Sequence, residues 1–150
     1  MTADLLHFED FHLGRKFACG PYRVSMDEIL AFAREFDPQP HHLDEEAARR
    51  TILGGLSASG WHTCAIAMRL YADGVISKSA NRGGAGCEDC RWLKPVRPGD
   101  VLMLEAEVLE VREPKSLPDV GFVKSAWRVF NQREQVAELI VTAILAKRGT

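Results

Sequence analysis

The stretch D-P-Q-P-H-H, Asp37 to His42, places one carboxylate and two imidazoles in a short run interrupted by Pro38 and Pro40. Each proline fixes φ, so few conformations remain and the Asp37 and His42 side chains can be held at a set separation. A carboxylate and an imidazole on one stiff segment can share a water, one taking a proton from it while the other gives a proton elsewhere. The same residues also read as an Asx-type turn with solvated histidines, and spacing alone does not choose between the two.

The elements that must position this segment can be read on either side of it. Ser25 and Glu28 form a capping box, and Ile29, Leu30, Phe32, Ala33 and Phe36 follow as an apolar stripe, so a helix is expected up to Asp37. Pro38 drives Asp37 out of the helical region and ends it there. Asp44 reads as the N-cap of a short helix with Glu45 and Glu46 in its first turn and Arg49 and Arg50 in its last, the order that the helix dipole favours. The small-residue loop L-G-G-L-S-A-S-G then leads into W-H-T-C-A-I-A-M-R-L-Y-A-D-G, apolar on nearly every side and closed by Gly74. That composition predicts a helix buried all round, and Ala58, Gly60, Cys64, Ala65 and Ala67 would let strands pass close to it.

Upstream, K-F-A-C-G-P-Y-R-V-S predicts a strand broken at Gly20-Pro21. Downstream the period changes to two, and C-R-W-L-K-P-V, V-L-M-L-E-A-E-V-L-E-V, G-F-V-K-S-A-W-R-V-F-N and V-A-E-L-I-V-T-A-I-L-A predict four strands. Leu102, Leu104, Ala106 and Val108 share one face, with Glu105 and Glu107 on the other, as in an antiparallel sheet with one wet side. The class is α+β: a long buried helix wrapped by a curled antiparallel sheet.

Composition excludes several functions. With 150 residues the chain is expected to be one domain, residues 1–150, with 46% hydrophobic and 27% charged residues. Nineteen Lys and Arg against 21 Asp and Glu give a net charge of −2, with no extended basic run, which argues against a nucleic-acid partner. No apolar run approaches the roughly 18 residues of a membrane helix. The opening M-T-A-D-L-L-H-F-E-D is acidic where a signal peptide would be basic, so a cytoplasmic protein is expected. Cys19, Cys64, Cys87 and Cys90 lack disulfide-framework density. Cys87 and Cys90 form a C-x-x-C pair, but no second ligand pair accompanies it, and strand residues three apart point to opposite faces, so no metal is expected.

The stretches F-D-P-Q-P-H-H-L-D-E-E-A-A, G-G-L-S-A-S-G-W-H-T-C-A-I-A-M-R-L and R-W-L-K-P-V-R-P-G-D together resemble the MaoC-like dehydratases, which include (R)-specific enoyl-CoA hydratases. The resemblance covers most of the chain from about Phe8 onward and implies the hot-dog fold. It implies that Asp37 and His42, on the Asp and His of the motif Gly-Asp-x-Asn-Pro-aliphatic-His, are catalytic and activate a water. Pro40 falls on the motif's Pro and His41 on its aliphatic position. By the same resemblance a backbone N–H at Gly55 supplies an oxyanion hole, although Gly54 and Gly55 equally read as a chain-turning pair. Thr63 falls where a hydroxyl supports the site, or bonds back to its own helix. Phe36, Gln39 and Gly54 depart from the family pattern, Gln39 keeping the amide of the motif's Asn with a longer reach. Arg82, Lys94 and Arg97 are candidates for the phosphates of CoA; His62 reads as a core or interface histidine.

The implied activity is a hydro-lyase adding or removing water at the α,β double bond of an acyl thioester, without a further cofactor. The substrate would be an acyl-CoA or acyl-carrier-protein thioester. A hot-dog thioesterase and a non-catalytic acyl-thioester-binding partner subunit are the alternatives. The resemblance also implies a homodimer whose sheets join at an edge strand.

Overall fold

The computed structural model describes residues 4–150; the first three residues of the acidic opening lie outside the described residues. Five strands form one antiparallel sheet, β1 (Lys16–Arg23), β2 (Asn81–Trp92), β3 (Val101–Arg112), β4 (Val120–Phe130) and β5 (Gln135–Ala146), in the order β1-β3-β4-β5-β2. Four helices, α1 (Met26–Phe36), α2 (Pro40–Leu43), α3 (Glu45–Arg49) and α4 (Gly60–Gly74), lie between β1 and β2. Helix α4 is the centre around which the sheet curls, so the chain has the hot-dog fold.

The core lies between α4 and the inner face of the sheet. Leu102, Leu104, Ala106 and Val108 of β3, with Val123, Trp127 and Val129 of β4, are buried against it. Each fully buried Leu or Val contributes about 1.5–3 kcal/mol. The Tyr71 ring of α4 tilts onto Trp127 at 4.7 Å. Close approach at two glycines sets how near the strands come. A Cβ at Gly74 would lie 2.6 Å from Cys19 Sγ on β1, and one at Gly60 would lie 2.2 Å from the Trp92 indole at the end of β2.

The expected caps form. Ser25 and Glu28 make their reciprocal capping box at α1, and Asp44 accepts the Ala47 N–H at α3. The first strand is interrupted between Cys19 and Tyr22, around a cis Gly20-Pro21 bond.

Three expectations need correction. The strand placed on C-R-W-L-K-P-V begins nine residues earlier, at Asn81, and ends at Trp92. Its Gly83, Gly84 and Gly86 mask the alternation, and they sit at register shifts of an edge strand, where glycine is tolerated. A further shift between Glu88 and Arg91, with Asp89 at φ 52°, resets the alternation on which opposite faces for Cys87 and Cys90 rest. Cys90 Sγ consequently lies 3.6 Å from Cys64 Sγ on α4, while Cys87 is exposed. Finally, α4 is not buried all round within one chain: Trp61, Ala65, Met68 and Arg69 form an exposed face opposite Thr63, Ala67 and Leu70. No helix among the described residues is long and apolar enough to cross a membrane.

Candidate active site

Helix α1 ends at Phe36, and Asp37 leaves it with φ −150° and ψ 67°, as Pro38 demands. Two residues later Gln39 is extended and Pro40 starts α2, where its missing N–H costs nothing because first-turn donors are unpaired anyway. The stiff segment therefore folds as a bend followed by one helical turn, and that turn brings His42 back over Asp37. Nε2 of His42 stands 3.5 Å from Asp37 Oδ2, with both side chains at least 86% buried (relative exposures 8% and 14%).

Each member of the pair is held from outside the segment. His42 Nδ1 lies 2.7 Å from the Ser57 carbonyl oxygen, which can only accept. The proton of the neutral ring is thereby fixed on Nδ1, and Nε2 faces Asp37 as a lone pair. Asp37 accepts the Gln39 amide on Oδ1 at 2.5 Å and the Ser59 hydroxyl on Oδ2 at 2.7 Å. Burial pushes the Asp37 carboxyl up, but these two hydrogen bonds and the neighbouring imidazoles outweigh it and hold it below its ordinary value. The result is an ionised carboxylate facing an imidazole lone pair across a gap too long for a direct hydrogen bond. A water seated beside the pair, on its cavity side, is within reach of both and can donate one proton to each.

The pair opens on a cavity of ≈ 590 Å³. Gln39 and His41 line it beside the dyad, Trp61 and Thr63 come from α4, and Trp92, Leu93, Lys94 and Val96 close it from the end of β2 and the segment beyond. The Trp61 and Trp92 rings meet edge to face at 5.2 Å. His41 sits edge-on to His42, 4.2 Å between centroids; burial, with the repulsion two protonated rings would feel, keeps its pKa below the usual histidine value.

The remaining candidates divide. Thr63 lines the cavity, while its hydroxyl lies 3.5 Å from the Ser59 carbonyl of its own helix. Gly54 (φ 69°) and Gly55 (φ 158°) take backbone conformations that side-chain-bearing residues rarely adopt. The Gly55 N–H has no acceptor among the described residues, but its carbonyl accepts from Arg97. Arg97 points inward, donating to the carbonyls of Leu53, Gly55 and Leu56, and so clamps this loop. Of the three basic candidates, Lys94 alone lines the cavity, and its side chain is exposed. Arg82 lies roughly 30 Å from Trp92 along β2, at about 3.3 Å per residue. His62 lies outside the cavity wall, stacked on Phe32 at 4.8 Å with Nε2 3.3 Å from Glu28. Burial lowers its pKa against the opposing pull of Glu28, and its Nδ1 has no partner among the described residues. No cluster of three potential metal ligands occurs among the described residues.

Sequence reasoning alone does not pick out Ser57 and Ser59. Ser57 acts through its carbonyl, which side-chain type cannot signal. Ser59 carries one legible signal, its place as N-cap before W-H-T-C, and its side chain does accept the Trp61 N–H.

Comparison with known proteins agrees with this architecture. The chain is 34% identical over 135 residues to the uncharacterised protein YdeM of Bacillus subtilis (strain 168), spanning 86% of this chain and 90% of that one. A crystal structure of a MaoC-like dehydratase from Rhodospirillum rubrum superposes with a TM-score of 0.88 at 43% identity, covering 97% of this chain and 99% of the other. The R-hydratase PhaJ1 of Pseudomonas aeruginosa, in its unliganded form, superposes with a TM-score of 0.74 at 28% identity over 95% of this chain and 86% of its own. The family model for the MaoC like domain matches residues 10–125, and with that match, the hot-dog fold and the dyad segment in one chain, the protein belongs to the MaoC-like dehydratase family.

Proposed function

We propose that the protein hydrates the α,β double bond of an enoyl thioester, or dehydrates the 3-hydroxyacyl thioester in reverse, with Asp37 and His42 as the catalytic pair. The observation that carries this reading is the 3.5 Å gap between His42 Nε2 and Asp37 Oδ2 at the wall of the cavity. Asp37, held ionised, is a weak base but a good anchor for one water hydrogen. His42 Nε2, with its lone pair free, takes the other proton as the water oxygen bonds to the β-carbon. Asp37 then stabilises the imidazolium, and the proton passes from Nε2 to the α-carbon as the enolate collapses, so that H and OH have added across the bond. Negative charge on the thioester oxygen needs an aimed donor; the unaccepted Gly55 N–H, in the loop that leads into α4, is the candidate by family resemblance, although Gly55 is not among the residues lining the cavity.

The same reading includes a homodimer. β2 is an edge strand with nearly every side chain exposed, and beside it α4 presents Trp61, Ala65 and Met68. Pairing two β2 edges antiparallel would cover both features and bring Arg82 of one copy towards the cavity end of the other. CoA as carrier and a cytoplasmic setting belong to this reading, the latter supported by four free cysteines.

The test follows the enoyl-thioester absorbance and free thiol together, using crotonyl-CoA and longer or branched enoyl-CoAs and the matching acyl-carrier-protein thioesters. Loss of the enoyl chromophore without thiol release is expected. Thiol released in step with the loss of absorbance would instead identify a thioesterase, since cleaving the thioester also abolishes the conjugated chromophore.

A further inference from the structure

The segment Ser57-Ala58-Ser59 runs directly beneath the dyad and touches both of its members. Its backbone is fixed by the Ala58 N–H donating to the Val96 carbonyl at 2.9 Å and by the Thr63 N–H donating to the Ser59 carbonyl at 3.0 Å. The Ser57 carbonyl accepts a hydrogen bond from His42 Nδ1, and two residues on the Ser59 hydroxyl donates to Asp37 Oδ2. Ser59 is completely buried. Its Oγ accepts the Trp61 N–H at 3.3 Å, leaving its single hydrogen for the carboxylate, so the direction of the 2.7 Å bond is fixed.

We infer that Ser59 is a positioning residue for the reaction: by donating to the oxygen of Asp37 that faces His42, it keeps that carboxylate ionised and turned toward the imidazole. This rests on the hydratase reading above. Among the described residues the carboxylate has two hydrogen-bond donors, and the other, Gln39 on Oδ1, is itself exposed on the cavity rim. Ser59 is the buried one, tied to the N-terminus of α4, so the orientation of Asp37 is coupled to the central helix instead of to the solvent-facing segment alone. Without it, burial is opposed by the Gln39 amide and the imidazoles alone, the carboxyl becomes easier to protonate, and its rotation about χ2 is restrained only from the exposed side.

The experiment compares Ser59→Ala, Ser59→Gly and Ser59→Thr with the wild-type protein. Alanine removes both the hydroxyl and the helix cap; glycine removes the hydroxyl but caps nearly as well as serine. Both should raise the pKa of the Asp37 carboxyl, followed by ¹³C NMR, by about one pH unit, and lower kcat roughly ten-fold or more, the loss expected for a hydrogen bond to a charged group. The acid limb of the kcat/KM profile should move upward with the carboxyl, and Ser59→Thr should return both toward wild type. An unchanged Asp37 titration in the alanine and glycine variants would overturn the inference, as would a shifted titration with undiminished kcat. A capping role alone predicts that glycine behaves as wild type in both readouts. If Asp37→Asn hydrates normally, the hydratase reading fails, and the NMR titration still decides whether Ser59 controls Asp37.

Discussion

Arg97 separates two accounts of the same residue, a ligand for CoA phosphates or a clamp on the loop that leads into α4. Its Nη1 donates to the Gly55 carbonyl at 2.7 Å and to the Leu56 carbonyl at 3.3 Å, and its Nη2 to the Leu53 carbonyl. The backbone beneath is itself fixed, because Asp100 accepts the Arg97 N–H at 2.9 Å and is held in turn by Asn131 and Gln132. Arg97→Ala leaves three carbonyls without a charged donor. Such bonds are worth about 1.5–3 kcal/mol each, but the site is only half-buried and water can reach it, so the net loss is about 3 kcal/mol. For a chain of this length about 2–4 °C of Tm accompanies each kcal/mol, which gives a fall of about 6–12 °C. Arg97→Lys should recover only part of it, since an ammonium cannot fork across three acceptors. The assay is thermal unfolding at one fixed protein concentration, beside calorimetric CoA binding. An unchanged Tm with weakened CoA binding would refute the reasoning.

Other expectations follow from single contacts. Gly60→Ala puts a Cβ about where the Trp92 ring lies, 2.2 Å away, so the indole must leave. Urea unfolding should show a loss of about 1–3 kcal/mol, with tryptophan fluorescence shifted to the red. Met68→Glu, on the exposed face of α4, should turn the proposed dimer into a monomer by light scattering while leaving the circular dichroism of the fold unchanged. His41 and His62 both have pKa values lowered by burial from the ordinary 6.5, so the unfolded chain binds these protons more readily than the folded one. Their contribution to stability is complete above that value and falls as the pH drops below it. The urea midpoint should therefore decline as the pH falls below about 6.5, and less steeply in His62→Gln.

The outline of the fold was legible because its elements carry strong local signals. The Ser25 and Glu28 box, the stop at Pro38 and the alternation of β3 to β5 each have one reading. β2 did not, since its glycines carry no side-chain pattern and its bulges break the period. The exposed face of α4 was illegible for a different reason: an apolar face looks the same in sequence whether its own chain or a second copy covers it. In the site, the stiffness of the Asp37 to His42 segment could be read, but the orientation of its two side chains depends on Ser57 and Ser59, fifteen or more residues away. Arg97 shows the limit of charge as a signal, because sequence cannot say whether a guanidinium meets phosphate or backbone carbonyls.

The central claim is that Asp37 and His42 together activate a water for addition to an enoyl thioester. The most direct measurement is single-turnover hydration by wild type, Asp37→Asn and His42→Ala, with enoyl-CoA binding measured calorimetrically in the same preparations. The account predicts that each variant still binds the thioester but hydrates it some 10²- to 10⁴-fold more slowly, the usual contribution of a positioned acid or base. Undiminished hydration in either variant, with binding intact, would contradict it.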